Sequence, residues 1–174
     1  MAAGIPADAL TLDRALVLAL DDEYRARASY RAVLEAFGPV TPFLAIAAAE
    51  QRHIDALLPL FPRYGLTPPA DRWAGRVVAP PSLAAACAAG VAGEIGNDTL
   101  YDHLLAQVRE PGVRAVFGNL RNASAHHHLP AFQRCAGQVV AAVPAVAVTG
   151  GTAALLLGLA TGFAVAWLLH RGTA

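Results

Sequence analysis

Three clusters of helix-breaking residues divide the chain, and their spacing leaves room for little except a four-helix bundle. Gly38-Pro39 closes an apolar-periodic stretch that opens at Asp8 or Thr11 and runs to Phe37. Thr41-Pro42 sets a capping hydroxyl before a proline at the first helical position, opening a second helix to about Leu60. Between Pro62 and Pro81 stand five prolines and two glycines, so this stretch reads as an irregular connection. Ser82 caps a third helix reaching Arg109, and Glu110-Pro111-Gly112 turns the chain into a fourth ending near Gly137. The links are short, long, short. Short links make neighbouring helices antiparallel, and the long one crosses between the two pairs. No run alternates with period two, so the expectation is all-α, an antiparallel four-helix bundle with one long crossover between helices two and three.

At 174 residues this predicts one domain, 8–137, followed by a linker, 138–151, and a hydrophobic helix, 152–169. From Val139 to Leu169 there is no ionisable side chain, and 152–169 is apolar enough, and at about 27 Å long enough, to predict a transmembrane helix. Pro144 and Gly150-Gly151 interrupt the run before it. The Gly158-xxx-Gly162 spacing allows close helix approach and so a homodimer. Arg171 alone would place the tail on the cytoplasmic side. The short tail and the absence of a signal peptide favour instead a single-pass C-terminal anchor with the bundle in the cytoplasm. Thirteen basic and thirteen acidic residues cancel, which argues against a nucleic-acid partner. Two cysteines, Cys87 and Cys135, are too few for a disulfide scaffold and fit a reducing compartment.

The polar residues inside the helices repeat. Glu23 is followed seven residues later by Tyr30, and Glu94 seven later by Tyr101, so each pair shares a helix face. Glu50-Gln-Arg-His53 puts a carboxylate and an imidazole on one face, close enough to grip one ion. In the fourth helix the matching positions hold Ala125 and His128. Counted from Pro111, Glu94 lies 17 residues back and His128 17 forward, which puts them level. Of His126, His127 and His128 only one can point inward, since neighbours splay by about 100°. Cys87, seven before Glu94, and Cys135, seven after His128, fall at one level, either as small apolar core residues or as a redox-responsive thiol pair.

Four segments carry a family resemblance: Leu20-Asp-Asp-Glu-Tyr-Arg-Ala-Arg-Ala-Ser-Tyr30, Ala49-Glu-Gln-Arg-His-Ile-Asp-Ala-Leu57, Gly93-Glu-Ile-Gly-Asn-Asp-Thr-Leu-Tyr101 and His127-His-Leu-Pro-Ala-Phe132. In these the chain resembles the ferritin-like di-iron carboxylate superfamily, and within it an uncharacterised bacterial ferritin-like domain family. The resemblance implies a ferritin-like bundle with Glu23, Glu50, His53, Glu94 and His128 as metal ligands, and Tyr30 in a catalytic, electron-relay role. Ala125 stands where a sixth ligand would be, which leaves a mononuclear and a dinuclear site both open. The implied cofactor is iron, one or two ions, with manganese as the other fit. The expected function is a membrane-tethered oxidoreductase oxidising Fe(II) with a small oxidant, oxygen or peroxide. The alternative is a membrane-anchored helical interaction module whose metal site has degenerated.

Overall fold

Four rods are laid down in the order the punctuation predicts. The computed structural model describes residues 10–142, the last three by their backbone alone. These residues fall within one compact unit, 1–144. The first rod is α1, Leu12–Phe37, and the second is α2, Phe43–Leu57. A single further turn, α3, Leu60–Arg63, leads into the irregular crossover. The third rod is α4, Leu83–Gln107. The fourth is α5, Pro111–Ala123, continued through a π-helical turn, Ser124–His128, into α6, Leu129–Ala142. The result is a four-helix bundle with one bent rod, and no strand occurs among the described residues.

Local chemistry explains most boundaries. Ser82 Oγ accepts from the Ala85 N–H at 3.2 Å and so caps α4 as expected. Gly38 ends α1 at φ +81°, a conformation that costs glycine nothing. The expected Thr41 cap is absent: Pro42 itself occupies the cap position, and no side chain caps α2.

Cross-helix pairs fix the directions. Glu23 meets His53 while Arg27 meets Gln51, so α1 and α2 run antiparallel. Glu23 meets Tyr101 while Tyr30 meets Glu94, which makes α1 and α4 antiparallel too. The crossover is tied to α1 by Arg72, whose Nε and Nη2 donate to Asp21 at 2.8 Å each. Trp73 Nε1 adds a bond to the same carboxylate at 2.9 Å, and Arg27 reaches Asp71 at 2.6 Å.

The core is two apolar plugs with a polar layer between them. One contains Leu16, Leu20, Ile54, Tyr101, Leu104 and Phe117. The other contains Tyr30, Phe43, Ile46, Phe132, Cys87 and Cys135. In the second plug Cys87 and Cys135 form a disulfide with Cα atoms 5.7 Å apart, inside the bridging limit. Of the two readings of the cysteines, the paired one has the Cα separation it requires.

The expected membrane anchor is also corrected. Among the described residues no helix is long and apolar enough to cross a membrane. The two long helices show why: α1 carries charges from Asp13 to Glu35, and α4 carries Glu94, Asp98 and Asp102. The stretch 152–169, with Gly158 and Gly162, lies outside the described residues. A single-pass anchor, membrane localisation and a tail-mediated homodimer therefore have no support in the described structure.

Candidate metal centre

Glu23, Glu50, His53, Glu94 and His128 are brought together in the polar layer, one or two from each rod. They form two clusters that share Glu50: Glu23, Glu50 and His53, and Glu50, Glu94 and His128. Within each cluster the candidate ligand atoms lie within 4.8 Å of one another. His53 Nδ1 sits 3.1 Å from Glu23 Oε2 and 2.7 Å from Glu50 Oε2. His128 Nδ1 sits 3.2 Å from Glu50 Oε1 and 3.5 Å from Glu94 Oε2. Glu50 thus offers one oxygen to each cluster, and each cluster has its own second carboxylate and its own imidazole. The two rings stack with centroids 5.4 Å apart.

Tyrosines close both ends. Tyr101 donates to Glu23 Oε1 at 2.6 Å, and Tyr30 donates to Glu94 Oε1 at 2.5 Å. The Glu–Tyr pairs seen seven apart in α1 and α4 are therefore exchanged between helices, each tyrosine serving the other helix's glutamate. Read in order, Tyr101, Glu23, His53, Glu50, His128, Glu94 and Tyr30 form one chain of contacts across the bundle, nearly symmetric about Glu50.

Supporting groups lie outside the set read from the sequence. Ser124 Oγ donates to Glu94 Oε2, and Asn97 Nδ2 donates to Asp22 Oδ2 at 3.0 Å and to Glu23 Oε1 at 3.4 Å. Asp22 also pairs with Arg25. Asn97 was detectable, standing three residues after Glu94 on the same face. Ser124 was hidden by the π-helical turn. There the Leu129 N–H bonds to the Ser124 carbonyl, five residues back, so Ser124 faces Glu94 where α-helical counting put Ala125. Pro130 is the signal that could have revealed it. Proline has no N–H for the carbonyl four residues back, which encourages a wider turn just before it. His126 and His127 are exposed while His128 is buried.

The electrostatics of the metal-free site are those of a shared charge network. Burial, followed by the neighbouring Glu50 carboxylate, pushes Glu23 up to about 7. Burial works against ionising Glu50 as well, but the His128 and His53 imidazoles facing it hold it below the usual carboxylate range. Burial alone would lower both imidazoles, yet the flanking carboxylates raise His53 to about 10 and His128 to about 9. Burial, then Glu94 and Glu23 respectively, lifts Tyr30 and Tyr101 well above their ordinary range, so both remain donors.

A metal ion fits this arrangement. His128 Nδ1 is buried and makes no hydrogen bond, although two carboxylate oxygens face it. Once His128 gives up its proton, an imidazole nitrogen and two carboxylate oxygens turned toward one point are what a cation requires.

Comparison with known proteins supports the fold and leaves the chemistry open. The sequence model of a family described as an uncharacterised protein domain, DUF2202, matches residues 13–79. The chain is similar to the crystal structure of hypothetical protein MJ0754 from Methanococcus jannaschii DSM 2661. The identity is 20%, covering 79% of this chain and 87% of that one, with a TM-score of 0.66. At that identity the likeness shows the fold alone. No curated protein matches.

These matches correct the expected membership of the ferritin-like superfamily. The family found is DUF2202, over part of the chain, and the similar structure is of a hypothetical protein. In the fourth rod the π turn places Ser124, not Ala125, against Glu94, so the expected position of a sixth ligand is not the one that faces the site. The membrane-tethered oxidoreductase expected from that resemblance is corrected with it. What stands is a pair of buried Glu/His clusters able to coordinate a metal ion, with no described helix to tether them.

Proposed function

We propose that this bundle is a metal-binding domain holding two divalent ions side by side, iron or manganese. One ion is bound by Glu23, Glu50 and His53, and the other by Glu50, Glu94 and His128. The observation that carries this reading is the division of Glu50: Oε2 lies 2.7 Å from His53 Nδ1, and Oε1 lies 3.2 Å from His128 Nδ1. A carboxylate so shared can give one oxygen to each of two ions. Three carboxylates offset most of the charge of two divalent ions, and a set of oxygens and imidazoles without thiolate suits iron or manganese. Three protein ligands per ion leave positions open for water or a small ligand. Tyr30 and Tyr101 act as positioning residues, fixing the outer oxygens of Glu94 and Glu23 so that the inner ones face the ions.

The test is metal content of the full chain after anaerobic loading with Fe(II) or Mn(II). Two ions per chain are expected. Glu50→Ala should lose both, His53→Ala one and His128→Ala the other. Fewer than about half an ion per chain would overturn the reading.

A second reading is favoured by one observation: each imidazole faces two carboxylates. With both imidazoles protonated and Glu23 pushed up to about 7, protons alone can offset most of the charge of the layer. The domain would then be a helical interaction module whose former site is held by protons. Thermal unfolding separates the two, since an ion that binds only the native state must raise Tm. Equal Tm with and without saturating Mn(II) favours the second reading.

A further inference from the structure

We propose that the Cys87–Cys135 disulfide is a redox switch acting on one of the two metal positions, the one made by Glu50, Glu94 and His128. The inference rests on the metal-binding reading above. Cys87 precedes Glu94 by seven residues on α4, and Cys135, on α6, follows by seven His128, the last residue of the π-helical turn. A seven-residue step returns to nearly the same helix face, so the bond lies two turns, about 10 Å, from those ligands along both rods. It joins only the two rods that supply Glu94 and His128. Glu23 and His53, which complete the other position, stand on α1 and α2, and no covalent link reaches either.

The packing around the pair transmits any change. Cys87 is fully buried and Cys135 nearly so, in the plug that also contains Tyr30 and Phe132. Tyr30 and Phe132 rings are 5.0 Å apart, and the Tyr30 hydroxyl holds Glu94. Reduction replaces a bond with two thiols at van der Waals separation. In a close-packed plug that separation moves α4 against α6 and disturbs the Phe132–Tyr30–Glu94 contacts. The step balances with a dithiol reductant. The reductant is oxidised to its own disulfide, the Cys87–Cys135 bond breaks, and each cysteine sulfur takes one of the two protons released.

The experiment uses the full chain and Mn(II) alone, which prefers oxygen and nitrogen ligands over thiols. Binding is measured by calorimetry on the oxidised protein, on the dithiol-reduced protein freed of reductant, and on the same sample reoxidised. Alkylation and mass spectrometry count the free thiols. The expected result is two ions in the oxidised form. Reduction should leave one site unchanged and weaken the other about tenfold or more, with recovery on reoxidation. Cys87→Ala/Cys135→Ala should match the reduced form; if that variant does not fold, the wild-type redox pair decides. Equal binding in both redox states, equal weakening of both sites, or a disulfide that resists reduction overturns the switch and leaves the metal site standing. No Mn(II) bound by the oxidised protein overturns the metal reading itself.

Discussion

Glu50 stands between the two imidazoles, one oxygen toward His53 and the other toward His128. Glu23 and Glu94 each have their outer oxygen fixed by a tyrosine from the opposite helix. This division of labour makes a prediction for single hydroxyls. Tyr101→Phe should weaken the ion beside Glu23, and Tyr30→Phe the ion beside Glu94, each about tenfold, with the other site near wild type. Calorimetry with Mn(II) checks it, and equal weakening of both sites by either change contradicts it. Protons give a second prediction. In the metal-free protein His53 and His128 are raised to about 10 and about 9, so near neutral pH both imidazoles carry protons that an ion must displace. Loading therefore releases protons, and affinity rises with pH up to about 9 at the His128 position and up to about 10 at the His53 position. Titration in buffers of different ionisation enthalpy counts the protons; pH-independent binding contradicts the assignment. The individual glutamates, histidines and tyrosines were legible from their spacing. Which tyrosine serves which glutamate was not, because that depends on the register of α1 against α4, set through the long crossover.

At the level of elements, the fourth rod is where sequence and structure part. Its existence and antiparallel course followed from Glu110-Pro111-Gly112 and from the count to His128. Its π-helical turn did not, because a periodic reading assumes one pitch throughout. The consequence is local but chemical, since Ser124 takes the place facing Glu94. The rod's far end packs tightly against α4. A Cβ added at Gly90 would lie 2.5 Å from Phe132 Cδ1 and 2.7 Å from Phe132 Cε1. Gly90→Ala should therefore destabilise the fold by about 1–3 kcal/mol, although alanine in a helix interior is ordinarily favoured over glycine. Phe132→Ala should cost about 3–5 kcal/mol by leaving a cavity beside Tyr30 and Phe43. Urea unfolding of both variants measures these values. A neutral or stabilising Gly90→Ala would show that the Phe132 ring turns aside freely.

Across the molecule, two apolar plugs hold a polar layer that is expensive to bury and is assembled from all four rods. The bundle was legible because its breakers are proline and glycine, whose backbone preferences hold in any context. The exchange of tyrosines and the serine contact were not, since each depends on distances between rods that no local pattern encodes, whereas the two cysteines could be placed at one level by counting from Glu94 and His128. The apolar run 152–169 supplied the membrane part of the functional expectation, yet it lies outside the described residues, and no described helix supports an anchor. The central claim is the shared use of Glu50 by two ions. Anomalous diffraction from crystals of the full chain grown with Mn(II) tests it most directly. The account predicts two peaks in the polar layer, one beside His53 and one beside His128, with an oxygen of Glu50 on each. A single peak, peaks confined to the surface, or a Glu50 that touches neither ion would contradict it.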